Sequence, residues 1–101
     1  MQKFIQQKQD EYVRLLALMP MLDNHLAQWQ EAISLINSLT DFYDSPQWLE
    51  CYDNADKFAL NTHAHHSVLS QDAIWNVLAE QREIAENLLI LLQTYLKQDE
   101  N

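Results

Sequence analysis

An all-α fold is predicted, a long antiparallel helical pair with a short helix connecting its members, and three observations predict it. The 101-residue chain contains no glycine, the usual residue of hairpin and left-handed turns, so a strand-rich fold with many tight turns is disfavoured. Apolar residues recur at alternating steps of three and four along the first third of the chain. A serine–proline pair and a later serine–glutamine–aspartate triplet each carry the chemistry of a helix start.

The first helix is expected over about residues 3–39. Its stripe reads Ile5, Lys8, Tyr12, Leu15, Met19, Leu22, Leu26, Trp29, Ile33 and Ile36, with Lys8 the one non-apolar member. Pro20 lacks an N–H and its ring crowds the carbonyl of Leu16, yet the stripe crosses it in phase. One helix kinked near Pro20 therefore fits better than two helices joined by a turn, although a new helix with Pro20 in its first turn is also good chemistry. A break is expected over Thr40–Asp44. Ser45 then reads as an N-cap with Pro46 at the first helical position, opening a short helix to about Asp56 that carries Trp48, Leu49 and Tyr52.

Residues 57–69 read as a loop. Ser70 starts the last helix, with Asp72 in its first turn and Lys97 in its last, each suiting the helix dipole at its own end. That helix is expected over about 71–97, and residues 98–101 are expected to fray. No repeat, low-complexity run or linker divides the chain, so residues 1–101 read as a single domain. At about 1.5 Å per residue the first helix is roughly 55 Å long and the last roughly 40 Å, a thin arrangement that buries little core.

The missing glycine also excludes function classes. A P-loop, a dinucleotide-binding turn and a nucleophile elbow all need it. Fifteen acidic against 6 basic residues give a formal net charge of -9, which argues against direct contact with nucleic acid or anionic membrane. It fits a solvated acidic surface, one that attracts a basic protein, or mimicry of a phosphate array. Cys51 is the only cysteine, so no intrachain disulfide forms, and nothing near Met1 resembles a secretory leader. The two apolar runs, Leu15–Leu22 and Leu88–Leu92, are far shorter than the roughly 20 residues of a membrane span. A cytoplasmic protein is the expectation.

The segment Leu39-Thr40-Asp41-Phe42-Tyr43-Asp44-Ser45-Pro46-Gln47-Trp48 resembles the middle motif of a small bacterial family, domain of unknown function 4298. That motif has a leucine, an aromatic pair ending in tyrosine, then a serine and a tryptophan three residues on. Val68-Leu69-Ser70-Gln71-Asp72-Ala73-Ile74 and Glu80-Gln81-Arg82-Glu83-Ile84 are similar to two further motifs. The resemblance covers nearly the whole chain, with its specific motifs in residues 39–89. It implies an all-helical fold and no particular activity or cofactor. Where the family tends to place Lys, Arg and Gly, this chain has His65, His66 and Ser67.

The shared residues Tyr43, Ser45, Trp48, Ser70, Asp72, Arg82 and Glu83 admit two readings. They form a recognition surface, since Trp, Tyr and Arg dominate binding hot spots, or a structural knot. In the knot Trp48 packs between the long helices, Ser45 and Ser70 cap, and Arg82 pairs with a carboxylate; caps and an anchoring aromatic account for most of these residues without a ligand. His63, His65 and His66, near Asp53 and Asp56, are chemically fit for zinc, nickel or copper, although a loop H-x-H-H lacks the fixed helical spacing of a strong metal motif. Cys51 with His63 or His66 is a formal nucleophile–base pair. Acidic neighbours raise a thiol's pKa, and a lone cysteine is more simply a small apolar residue.

Leu88, Leu89, Ile90, Leu91 and Leu92 advance about 100° each and so encircle the last helix. One partner helix cannot cover such a girdle, which reads either as internal packing or as the interface of a homodimer. The sequence thus reads as a non-enzymatic interaction protein that self-associates and presents an acidic helical surface. The alternatives are a metal-binding module through the His63, His65 and His66 loop, and an acidic nucleic-acid mimic that occupies a basic protein.

Overall fold

The computed structural model describes residues 1–98, and these form three α-helices and no strand: α1 (Gln2–Tyr43), α2 (Pro46–Asp53) and α3 (Gln71–Gln98). A single 3₁₀ turn, Ala55–Lys57, follows α2. The chain resolves into two units, Met1–Asp41 and Phe42 onward. The first is helix alone. The second holds the last two residues of α1, then α2, the following loop and α3.

α1 runs without interruption through Pro20. The proline removes one backbone bond, to Leu16, and costs about 3 kcal/mol in a helix interior. Ending the helix there would require nucleating a second one, which is itself unfavourable, and good helix formers flank the proline on both sides. The helix also continues past the expected end at residue 39, as far as Tyr43. Thr40 and Asp41 lose only tenths of a kcal/mol as helix residues, too little to stop an established helix. What stops it is Pro46. The proline ring drives the preceding residue out of the helical region, and Ser45 accordingly lies at φ -95, ψ 154.

Pro46 occupies the first turn of α2 as expected, but Ser45 does not cap that helix with its side chain. Its hydroxyl donates instead to the carbonyl of Phe42 (2.6 Å), and its N–H donates to the same oxygen (3.1 Å). Ser45 thus satisfies the end of α1, where carbonyls lack helical partners. α2 is shorter than the predicted helix to Asp56. Asn54 Nδ2 donates to the Glu50 carbonyl (2.8 Å), competing with the backbone for an acceptor that helix continuation would use, and the chain tightens into the 3₁₀ turn.

The loop from Phe58 to Ser70 satisfies much of its own backbone. His65 N–H closes a turn on Thr62 C=O (3.0 Å), and Asn61 Oδ1 accepts from His63 N–H (2.9 Å). The two central residues, His63 (φ 53) and Ala64 (φ 66), are left-handed, the signature of a type I′ turn. Such a turn ordinarily takes Asn-Gly. With no glycine in the chain, Ala64 bears a cost of about 1 kcal/mol. Further on, Ser67 Oγ accepts from Leu69 N–H (3.1 Å) and Ser67 C=O from Ser70 N–H (2.9 Å).

α3 begins at Gln71, as Ser70 and Asp72 predict, and Ser70 C=O accepts its first helical bond from Ile74 (3.3 Å). Gln98 is still helical; of the fraying expected for 98–101, residues 99–101 lie outside the described residues. No described residue is buried. Half-buried positions recur along α3 at Ile74, Leu78, Gln81, Ala85 and Leu88, and along α1 at Trp29, Ala32, Ile36 and Leu39, each a stripe of three- and four-residue steps.

The left-handed turn gives a direct test. Ala64→Gly removes the steric cost at φ 66 and returns part of it as extra freedom of the unfolded chain, for a net gain of about 0.5 kcal/mol. Thermal unfolding should rise by roughly 2–4 °C. A fall in Tm would mean that residue 64 is not left-handed.

Candidate functional site

A ladder of aromatic rings forms at the corner where α1 gives way to α2. The Ser45–Pro46 turn brings Trp48, in the first turn of α2, beside Tyr43 at the end of α1 (ring centroids 5.9 Å apart, tilted by 54°). Tyr52, four residues beyond Trp48 and so on the same helix face, stacks on it as well (5.2 Å, 21°). Phe42 leans against Tyr43 at 5.4 Å. The Tyr43 hydroxyl donates to the carbonyl of Val68, 25 residues along, and clasps the corner to the segment that leads into α3. Burial raises the Tyr43 phenol above its usual 10.0. Trp48 Nε1 is shielded from solvent and makes no hydrogen bond.

Beside this ladder opens a cleft of about 500 Å³, walled chiefly by Phe42, Cys51, Phe58, Leu60, Val68 and Leu69. Cys51 lies half-buried on its wall, and neither His63 nor His66 lines it. The Cys51–histidine pair is thus not assembled there. His65 and His66 line a separate cleft of about 650 Å³ together with Ser70 and Asp72, and His63 sits in the left-handed turn outside it. Among the described residues, no three His, Cys, Asp or Glu side chains gather into a group able to hold a metal ion.

The motif residues divide. Tyr43, Ser45 and Trp48 form the corner, and Ser70 ends the clasped loop. Asp72 lies in the first turn of α3. Arg82 pairs with Glu86 one turn along (3.2 Å), both side chains exposed, and Glu83 is exposed beside them. An exposed pair of this kind contributes little to stability. Tyr52, Phe42 and Val68 also belong to the corner, beyond the shared motif residues named as candidates. The Trp48–Tyr52 spacing of four was a usable signal, whereas nothing local marks Val68 as the acceptor for Tyr43. Farther along α3, Leu88 is half-buried while Leu89, Ile90, Leu91 and Leu92 are exposed, Leu91 by 64%.

The model of one protein family, Domain of unknown function (DUF4298), matches residues 5–91. The chain belongs to the DUF4298 family. No curated protein and no solved structure matches it. The DUF4298 match takes in the whole aromatic corner, the clasped loop and most of α3, including the girdle as far as Leu91. None of the described helices is long and apolar enough to cross a membrane.

The clasp makes a prediction with a pH signature. Tyr43→Phe keeps the ring stack but leaves the Val68 carbonyl without its donor, at a cost of about 1–2 kcal/mol. Because folding raises the Tyr43 pKa, the folded state holds this proton after the unfolded chain has lost it. Stability therefore falls as pH rises past about 10 through the folded value, and Tyr43→Phe lacks that fall. Urea unfolding at pH 8 should separate parent and variant by more than at pH 10.5. A gap that widens with pH would exclude the buried phenol. At the neighbouring ring, Trp48→Phe removes the unpaired donor while retaining an aromatic, and should stay within about 1 kcal/mol of the parent.

Proposed function

We propose that this protein is a non-enzymatic, cytoplasmic interaction module that works as a homodimer and offers an acidic helical surface to a basic protein partner. The observation that carries this reading is the exposure of consecutive apolar residues on α3, Leu89 to Leu92, in a chain whose described residues include none that is buried. Contiguous apolar surface of this kind marks an association site in a water-soluble protein, since leaving it wet forgoes about 25 cal/mol for each Å² that a partner would cover. A second copy of the same chain is the partner always present at equal concentration. The non-enzymatic part rests on the site chemistry. The 500 Å³ cleft is lined mainly by apolar side chains around Cys51, without a histidine or carboxylate in its wall.

The charge of -9 supports the second half of the proposal. It keeps the dimer soluble, steers basic partners towards it, and repels nucleic acid and anionic lipid.

Light scattering behind a sizing column, on tag-free protein at low micromolar concentration, tests the homodimer. A mass of twice 11.9 kDa is expected for the parent. Leu89→Glu or Ile90→Glu should give a folded monomer with its helical circular dichroism intact. A monomeric parent would sink the reading, and unfolding of both variants without dissociation would place the girdle in the interior instead.

A further inference from the structure

The girdle is not the longest uncovered apolar feature. Along α1 the stripe from Ile5 to Leu26 repeats at alternating three- and four-residue steps, and its members are exposed by half or more, Leu15 by 51%. Within this stretch only Leu18, off the stripe, is half-buried, and the other half-buried positions of α1 cluster from Trp29 onward. A 3.5-residue apolar repeat is the surface that a second helix with the same repeat fits, side chain into gap.

The charge along α1 says which helix and in which direction. Residues 1–14 hold three basic side chains (Lys3, Lys8, Arg14) and two acidic ones (Asp10, Glu11), a net of +1. Residues 15–43 hold Asp23, Glu31 and Asp41 and no Lys or Arg, a net of -3. Half of the chain's 6 basic residues thus lie in its first 14 positions. Two parallel copies would set Lys8 against Lys8 and acidic segment against acidic segment. Two antiparallel copies set the positive stretch of each against the negative stretch of the other, and also oppose the helix dipoles favourably.

Resting on the homodimer reading above, we infer that α1 of one copy pairs antiparallel with α1 of a second copy over residues 5–29, centred between Leu15 and Met19. In this register Leu15 meets Met19 of the second copy, Tyr12 meets Leu22, and Lys8 meets Leu26. Residues 1–14 then face residues 20–33 of the other copy, where Asp23 and Glu31 are the only charged groups apart from His25. Lys8, the single polar member of the stripe, lies one turn from Asp23 of the second copy. In one copy alone its ammonium folds onto its own helix, 2.9 Å from Glu11 and 5.5 Å from the centre of the Phe4 ring, an exposed arrangement that costs little to exchange. A single lysine within an apolar seam specifies register at a cost in stability.

Two measurements test the inference. Leu15→Glu introduces a carboxylate at the central layer in both copies and should weaken the dimer on the order of 100-fold or more, while helical circular dichroism is retained. In a Cys51→Ser background, Gln7→Cys carrying a nitroxide should report a spin–spin separation near 30 Å, the rise over the 20 residues between position 7 and its counterpart opposite position 27. A parallel pair would bring the labels within about 20 Å, from helices whose axes are 8–10 Å apart. A dimer that dissociates with Leu89→Glu but keeps its mass with Leu15→Glu overturns the α1 pairing and leaves the homodimer reading standing. A parent that is monomeric removes both. The labelled, fully folded protein keeps the test decisive even where Leu15→Glu disturbs the helix.

Discussion

The position of Pro46 is the constraint around which the second unit is organised. A proline ring forbids its predecessor a helical conformation, so α1 must end within two residues of Ser45 whatever its own propensity. The same proline is pre-set for the first turn of the next helix, and one residue thus both stops α1 and starts α2. The corner places Trp48 beside Tyr43, and the stack then recruits Tyr52 from one turn farther on. With its ring held there, Tyr43 presents its hydroxyl to Val68 across 25 residues of sequence. A local backbone restriction is thereby converted into the long-range contact that ties α2 to the entry of α3.

That contact is made with few apolar layers. Stability of a small domain depends on apolar surface removed from water exceeding the entropy of ordering the chain, and a chain with no described residue buried draws little from that source. Backbone hydrogen bonds within helices do not make up the difference, because their net contribution is small and long isolated helices owe most of their stability to packing. The apolar stripe on α1 and the girdle on α3 are consequently surfaces whose coverage adds to folding as well as to association. The proposed homodimer would therefore link association to stability and make apparent stability depend on concentration.

Much of this was legible in the sequence, for reasons that differ by element. The start of α3 is legible because Ser70 and Asp72 are local signals acting through the helix end. The stripe marks α1, but the helix runs to Tyr43, into the break expected over Thr40–Asp44, because its stop is steric and lies at Ser45–Pro46. Ser45 marks the α1–α2 corner, but through a bond to α1 and not a cap on α2. Serine donates as readily to the helix behind it as it accepts from the helix ahead, and sequence does not state the direction. The histidines illustrate the same limit. Their residue types suit metal, but no three such side chains gather among the described residues, and no periodicity encodes the left-handed turn at His63 and Ala64. The clasp to Val68 was illegible for a simpler reason: its acceptor is a backbone carbonyl, which every residue carries.

Association of a strongly acidic protein with itself has an electrostatic obstacle. Each copy carries -9, so two copies repel at a distance until salt screens them, over about 8 Å at physiological ionic strength. An apolar seam forms in such a case only where the local field is not repulsive, since desolvating like charges at close range outweighs modest apolar gains. The distribution of charge along α1 provides that place. Its first 14 residues are net positive in a chain that is otherwise strongly negative, and they lie on the part of the helix that is most exposed. In the proposed pairing the acidic character elsewhere disfavours approaches that set acidic surface against acidic surface. Net charge and apolar patterning, which pull in opposite directions when each is considered alone, are reconciled by an antiparallel seam.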